Sequence, residues 1–129
     1  MTALADTILI VEDEVLIAIG LEMQVEDMGL TVCAMAVSAE EAIAMCQEHR
    51  PAVVLMDMRL KGDGDGVDAA LVINLTVGSR VIFVTGSREP ATIERINLDH
   101  PFAVLFKPVS QEQLSGTISA ARRASGHGL

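Results

Sequence analysis

Glu12, Asp13 and Asp57 stand directly after short apolar runs, and Thr85 and Lys107 hold the same kind of position further along the chain. A carboxylate can act as a nucleophile, neighbouring acids can hold a hard cation, a hydroxyl can hydrogen-bond, and lysine brings a movable positive charge. That set suits phosphoryl transfer. Metal and lysine would neutralise oxygens of the transferring group while one carboxylate attacks in line. Acids brought side by side repel, and the cost stands unless a proton or cation offsets it. Mg2+, or Mn2+ in its place, is the natural offset, since hard ions take oxygen ligands. Each residue also has a plainer role. Asp13 would cap a helix, Asp57 open a loop, Thr85 fill a strand and Lys107 sit in water.

The elements decide between these roles. Thr7–Val11 (TILIV) has the β-branched, fully apolar character of a strand buried on both faces. Thr31–Met35, Ala52–Met56, Arg80–Thr85 and Phe102–Phe106 read as four more strands. Helical periodicity covers Val15–Met28, stopped by Gly29, and Val67–Val77. Ser38-Ala-Glu-Glu41 and Ser110-Gln-Glu-Gln113 are capping boxes. They open a helix to about His49, closed by Pro51, and a final helix with Leu114, Ile118 and Ala121 on one face. A helix from Pro90 to about Asp99 completes five βα units, and Arg122 and Arg123 suit the dipole at the last C-terminus. Strands alternating with helices predict an α/β fold with a parallel sheet covered on both faces. In such sheets ligands bind beyond the carboxyl ends of the strands. Four of the five predicted strands deliver Asp13, Asp57, Thr85 or Lys107 to that one edge, which four unrelated plain roles would not explain.

Composition narrows the function. The 129 residues carry a net charge of −9, which opposes binding to nucleic acid or to anionic membranes. Half are hydrophobic and only 2% aromatic, so the core must be aliphatic, with the seven Met as filler. Cys33 and Cys46 form no C-x-x-C and read as buried thiols in a reducing cytosol. No leader is visible and no apolar run approaches the roughly 18 residues a membrane span needs. The expectation is a cytoplasmic single domain over residues 1–129, with its core at about 7–123 and a frayed tail at 124–129.

The ordered set of motifs resembles the response-regulator receiver family of two-component systems. The matching segments are Val11-Glu12-Asp13-Glu14, Leu55-Met56-Asp57-Met58, Asp65-Gly66, Val84-Thr85-Gly86 and Phe106-Lys107-Pro108. The similarity runs from about Thr7 to Ala121, and the set with its spacings is specific where no single motif is. The resemblance implies a doubly wound (βα)5 flavodoxin-like sandwich with strand order 2-1-3-4-5. By position it implies Asp57 as phosphoacceptor. Mg2+ would be held by Asp13, Asp57, the Arg59 carbonyl and, through water, Glu12. Thr85 and Lys107 would contact the phosphoryl group, Gly86 would keep the site open, Ser87 and Arg59 would tune the phosphoryl lifetime, and the bond to Pro108 would be cis. The implied partners are a histidine kinase or histidine phosphotransfer protein, and a downstream protein on the face of the fourth helix, fifth strand and fifth helix. The chain would be a monomer or weak dimer.

Three departures from the family stand out. Lys61 replaces a common Pro, the loop from Asp57 to Asp65-Gly66 is one residue longer than usual, and Val104 replaces the switch aromatic, with Phe106 nearby at another position. Asp63-Gly-Asp-Gly-Val67 matches a phosphatase D-x-D-x-[TV] pattern but lacks the buried strand before it. The same stretch fails as a calcium loop because its twelfth position is Asn74. His49, His100 and His127 lack metal-ligand spacing and read as surface residues. Competing readings are a degenerate receiver that binds protein without phosphorylation, a receiver fragment of a larger regulator, and a phosphohydrolase. The last lacks an evident general acid and a substrate cap.

Overall fold

The computed structural model describes residues 3–62 and 64–127. Strands and helices alternate: β1 (Ala5–Val11), α1 (Val15–Asp27), β2 (Thr31–Ala36), α2 (Ala39–His49), β3 (Pro51–Met56), α3 (Gly66–Thr76), β4 (Arg80–Thr85), α4 (Pro90–Asn97), β5 (Ala103–Phe106) and α5 (Gln111–Ala124). All five strands pair in parallel, in the order β2-β1-β3-β4-β5. This is the flavodoxin-like sandwich expected from the sequence.

The central strands are apolar throughout because helices cover both faces. Successive side chains point to opposite sides, so one run feeds two cores. Leu9, Val54, Met56 and Phe83 meet Ala42, Ile73 and Ile96 of α2, α3 and α4. Ile8, Ile10, Leu55 and Ile82 meet Leu21 and Val25 of α1 and Leu114 and Ile118 of α5. Among the described residues Phe83 is the one buried aromatic, and the rest of the core is aliphatic as predicted.

Helix ends follow the capping signals with one variation. Ser38 accepts from the Glu41 amide and Ser110 from the Gln113 amide, each at 3.1 Å. The Glu41 carboxylate reaches past the cap to the Val37 amide, 2.9 Å away. A reciprocal box forms where none was predicted. Asp65 accepts from the amides of Val67 and Asp68, and Asp68 accepts from the amide of Asp65. Aspartate here does the work usually given to glutamate. Pro51 is the first residue of β3 rather than a residue beyond α2, and a first position needs no ladder donor.

The C-terminal segment departs from the expectation of a frayed tail. Ala124 completes α5, the Ser125 hydroxyl donates to the Ala52 carbonyl at 3.3 Å, and the His127 ring nitrogen lies 3.0 Å from the Leu4 carbonyl oxygen. Gly128 and Leu129 lie outside the described residues. His127 is therefore half-buried rather than a surface residue. Arg122 grips both oxygens of Asp6 at 2.8 and 2.6 Å, and this hydrogen bonding holds the Asp6 carboxyl below its usual pKa. Of the two thiols only Cys46 is fully buried, 3.3 Å from the Ser79 hydroxyl, while Cys33 is half-buried. Among the described residues no helix is long and apolar enough to cross a membrane.

Candidate functional site

The carboxyl ends of β1, β3, β4 and β5 open into a cleft of about 600 Å³ lined by Asp13, Asp57, Arg59, Thr85, Ser87 and Lys107, among others. Order in the sheet explains the convergence. β1 and β3 are neighbours, so the residues that follow them meet. The Asp57 amide donates to the Val11 carbonyl at 2.9 Å, carrying the ladder one step past the strands and fixing the Asp57 backbone. From the other side Gly66 packs against it so closely that a Cβ there would overlap the Asp57 carbonyl oxygen.

Three carboxylates crowd this point. Oxygens of Glu12, Asp13 and Asp57 all lie within 4.8 Å of one another, and Asp57 and Glu12 are only 8% and 2% exposed. Glu12 is held by the Glu14 amide at 3.2 Å and by the Lys107 ammonium at 2.6 Å. Lys107 lies 3.6 Å from Asp57, so in this state its closer partner is Glu12. Two of the plainer roles fail on this geometry. The N-cap of α1 is Glu14 with no side-chain cap bond, so Asp13 is not a cap. Lys107 is a paired, four-fifths buried ammonium rather than a solvated charge.

Burial and the hydrogen bond and charge of Glu12 push the Asp57 carboxyl up to about 7, against the opposing pull of Lys107 and the Arg59 amide. Burial disfavours the Lys107 ammonium, yet its Glu12 bond and the charges of Asp57, Glu12 and Glu14 outweigh this and raise its pKa. An all-oxygen, closely spaced and net negative donor set is what a hard divalent cation requires, and the residues fit Mg2+.

This predicts a measurable pH dependence. Asp57 binds its proton more tightly folded (about 7) than at the ordinary 3.8. Its ionisation therefore costs stability progressively as pH rises from about 4 to about 7, and nothing further above that. The bound set by that gap is ~4 kcal/mol at 1.36 kcal/mol per pKa unit. Metal-free Asp57→Asn should be more stable than wild type by ~1–3 kcal/mol at about pH 8, with the gap closing towards about pH 4. Thermal melts of both proteins across pH, with and without Mg2+, check it. Mg2+ should raise the wild-type Tm more than that of the variant.

The remaining expected residues sit around the same point. Thr85 is buried, its carbonyl accepts from the Lys107 amide at 2.8 Å, and its hydroxyl accepts from the Ser87 amide at 3.1 Å. Gly86 is exposed with open space where a Cβ would stand. The Lys107–Pro108 bond is cis. Val104 packs in the core on the α4 face. Lys61 explains its own departure from the family pattern, because its amide donates to the Val37 carbonyl at 3.0 Å, which proline could not do. The part of the Asp63–Val67 stretch that is described caps and begins α3 with no strand before it, and Asp63 itself lies outside the described residues. Glu14 and Arg88 are among the cleft residues that went unassigned in the sequence. Glu14 contributes negative charge toward Lys107, and the Arg88 guanidinium lies 4.2 Å above the Phe106 ring.

Fold and site together define a doubly wound domain with an acidic cluster at the carboxyl edge of its sheet. The response regulator receiver domain model matches residues 8–119, and the chain belongs to that family. It is 35% identical to the phyllosphere-induced regulator PhyR of Methylorubrum extorquens, over 96% of this chain and 49% of that protein. It is 30% identical to the transcriptional regulatory protein PdtaR of Mycobacterium tuberculosis, over 88% of this chain and 55% of that one. The chain thus spans about half the length of these curated relatives. Among solved structures, the signal receiver domain of a modulated diguanylate cyclase from Desulfovibrio desulfuricans superposes with a TM-score of 0.88. Its identity is 33%, with coverage of 93% of this chain and 95% of that one.

Proposed function

We propose that Asp57 accepts a phosphoryl group and that the modified domain changes its affinity for a partner protein. The observation that carries this reading is one buried carboxylate flanked by two further acids and a lysine, facing an open cleft. The donor would be a phosphohistidine on a histidine kinase or histidine phosphotransfer protein. An Asp57 oxygen attacks phosphorus, the nitrogen–phosphorus bond breaks, and the imidazole leaves with the electron pair. Asp13, Asp57 and the Arg59 carbonyl, with Glu12 through water, would hold Mg2+. Bound there, the ion would draw Asp57 into its ionised form and neutralise the phosphoryl oxygens.

The chain's own residues supply the rest. Lys107 is within reach of Asp57 and exchanges Glu12 for a phosphoryl oxygen. Thr85 donates its hydroxyl hydrogen to another while still able to accept from the Ser87 amide. Phosphorylation brings roughly −1.5 to −2 of charge to this point. The equilibrium then shifts as far as these contacts differ between the two states. Output would run through the face of α4, β5 and α5 to a protein partner.

Intact mass spectrometry after incubation with acetyl phosphate tests the reading. A single phosphoryl adduct is expected with Mg2+, none after chelation, and none in Asp57→Ala. No adduct under any condition, with beryllofluoride also failing to bind, would favour a receiver that works by protein binding without phosphorylation.

A further inference from the structure

Val104 leaves β5 without an aromatic side chain at the position where the resemblance leads one to expect it, yet a ring stands two residues on. Phe106 pairs with Thr85 in the β4–β5 register and shares a face with Val104, because strand side chains alternate. The Arg88 guanidinium lies 4.2 Å above its centroid, within cation–π range. Arg88 is exposed and lines the cleft shared by Asp57, Thr85 and Lys107. Among the described residues no carboxylate lies within ion-pair distance of it, so the guanidinium is not otherwise committed. The backbone ties these groups together. Ser87 donates its amide to the Thr85 hydroxyl, and Lys107 donates its amide to the Thr85 carbonyl.

We infer that Arg88 is a phosphoryl-binding residue that exchanges the Phe106 ring for the phosphoryl group on Asp57, so that the Arg88–Phe106 pair performs the switching that Val104 cannot. This rests on the reading of Asp57 as acceptor. The exchange has a clear direction. An exposed cation–π contact is among the weaker attractions open to a guanidinium, and pairing with a dianion through two parallel hydrogen bonds is among the strongest. Without the phosphoryl group, Lys107 is the cation paired with the acids, and among the described residues none of their carboxylates is within ion-pair distance of Arg88. With it, roughly −1.5 to −2 of charge arrives in a cleft that is already net negative, and its oxygens offer acceptors to a guanidinium beside those used by the metal and Lys107. The Thr85 hydroxyl donates to the same phosphoryl group, and the Ser87 amide that donates to it ties any movement of Thr85 to the loop carrying Arg88. The ring of Phe106 is then uncovered on the α4 side of β5.

Fluorine NMR of protein labelled with 4-fluorophenylalanine tests this, because the chain has only three Phe. Phe106→Leu assigns the signal, and fully buried Phe83 reports that each variant is folded. With acetyl phosphate and Mg2+, the Phe106 signal should move in step with the adduct seen by mass in the same sample. In Arg88→Gln it should start near the phosphorylated wild-type position and move by less than about a third as far. The adduct should also decay about three- to tenfold faster, having lost a charge-assisted contact. An adduct with an unmoved Phe106 signal, or equal movement in Arg88→Gln, would overturn the role of Arg88 and leave Asp57 as the acceptor. Absence of any adduct would overturn both.

Discussion

Alanine at Gly66 is expected to destabilise the protein by at least ~3 kcal/mol and to slow phosphorylation of Asp57 at the same time. The added methyl would overlap the Asp57 carbonyl oxygen and lie 3.0 Å from both the Asp57 carbonyl carbon and the Met56 Cγ. Two of these neighbours are backbone atoms, and that backbone is tied to β1 through the Asp57 amide. Relief on the other side is blocked too, since the Gly66 amide donates to the Met58 carbonyl and Asp65 caps the helix. Either α3 withdraws or Asp57 is displaced, so stability and acceptor geometry fail together. Gly20 is the control. It lies inside α1 with nothing within 4 Å of a built Cβ, so Gly20→Ala should stabilise by ~0.5–1 kcal/mol through helix propensity. Urea denaturation of both variants, with the rate of adduct formation from acetyl phosphate, separates close packing from a general intolerance of glycine replacement. A Gly66→Ala protein as stable as wild type would show that α3 is not held against Asp57.

Lys107→Ala should carry the second large effect, ~2–4 kcal/mol in metal-free protein near neutral pH. Removing the ammonium leaves Glu12, the most enclosed of the three acids, without its 2.6 Å partner and Asp57 without its nearest cation. Breaking one side of a buried pair costs more than the pair contributes when intact, because a desolvated charge is left behind. The Asp57 carboxyl, already near 7, should titrate higher still, since Lys107 pulls it down. Two remedies follow from the same charge balance. Mg2+ should restore much of the lost stability by mass action on the folded state, and mild acid should do so by protonating one carboxylate. Melting curves with and without Mg2+ at two pH values would show both. A loss insensitive to Mg2+ and pH would mean that the lysine stem matters for its packing and not for its charge.

What could be read from the chain followed from short-range patterns. Asp57, Thr85 and Lys107 each follow an apolar run, and parallel topology sends such positions to one edge. Ser38 and Ser110 cap because their partners are three residues away. What could not be read depends on partners far along the chain. Nothing local tells Lys107 to favour Glu12 over Asp57, because that choice is made by the rotamers of residues 95 apart in sequence. The loop containing Lys61 looked like an insertion with a missing proline. Its pairing with Val37 appears only when β2 and β3 flank the same strand. Arg95 drew no reading from the sequence, yet it bonds Asp65 at 3.0 Å and thereby joins α4 to the cap of α3. The Arg88–Phe106 stack joins a loop to a strand end and has no sequence signature.

The clasp between Arg122 and Asp6, with His127 seated at the Leu4 carbonyl, places both ends of the described chain at the pole opposite the cleft. A circular permutant could join those ends with a short linker and reopen the chain at an exposed turn such as Gly78, without touching the acidic cluster. A junction at either end would lie at the amino ends of the strands, with the length of the sheet between it and Asp57. The described ends and the acidic cluster therefore occupy opposite poles, and the domain can be spliced at one without recutting the other.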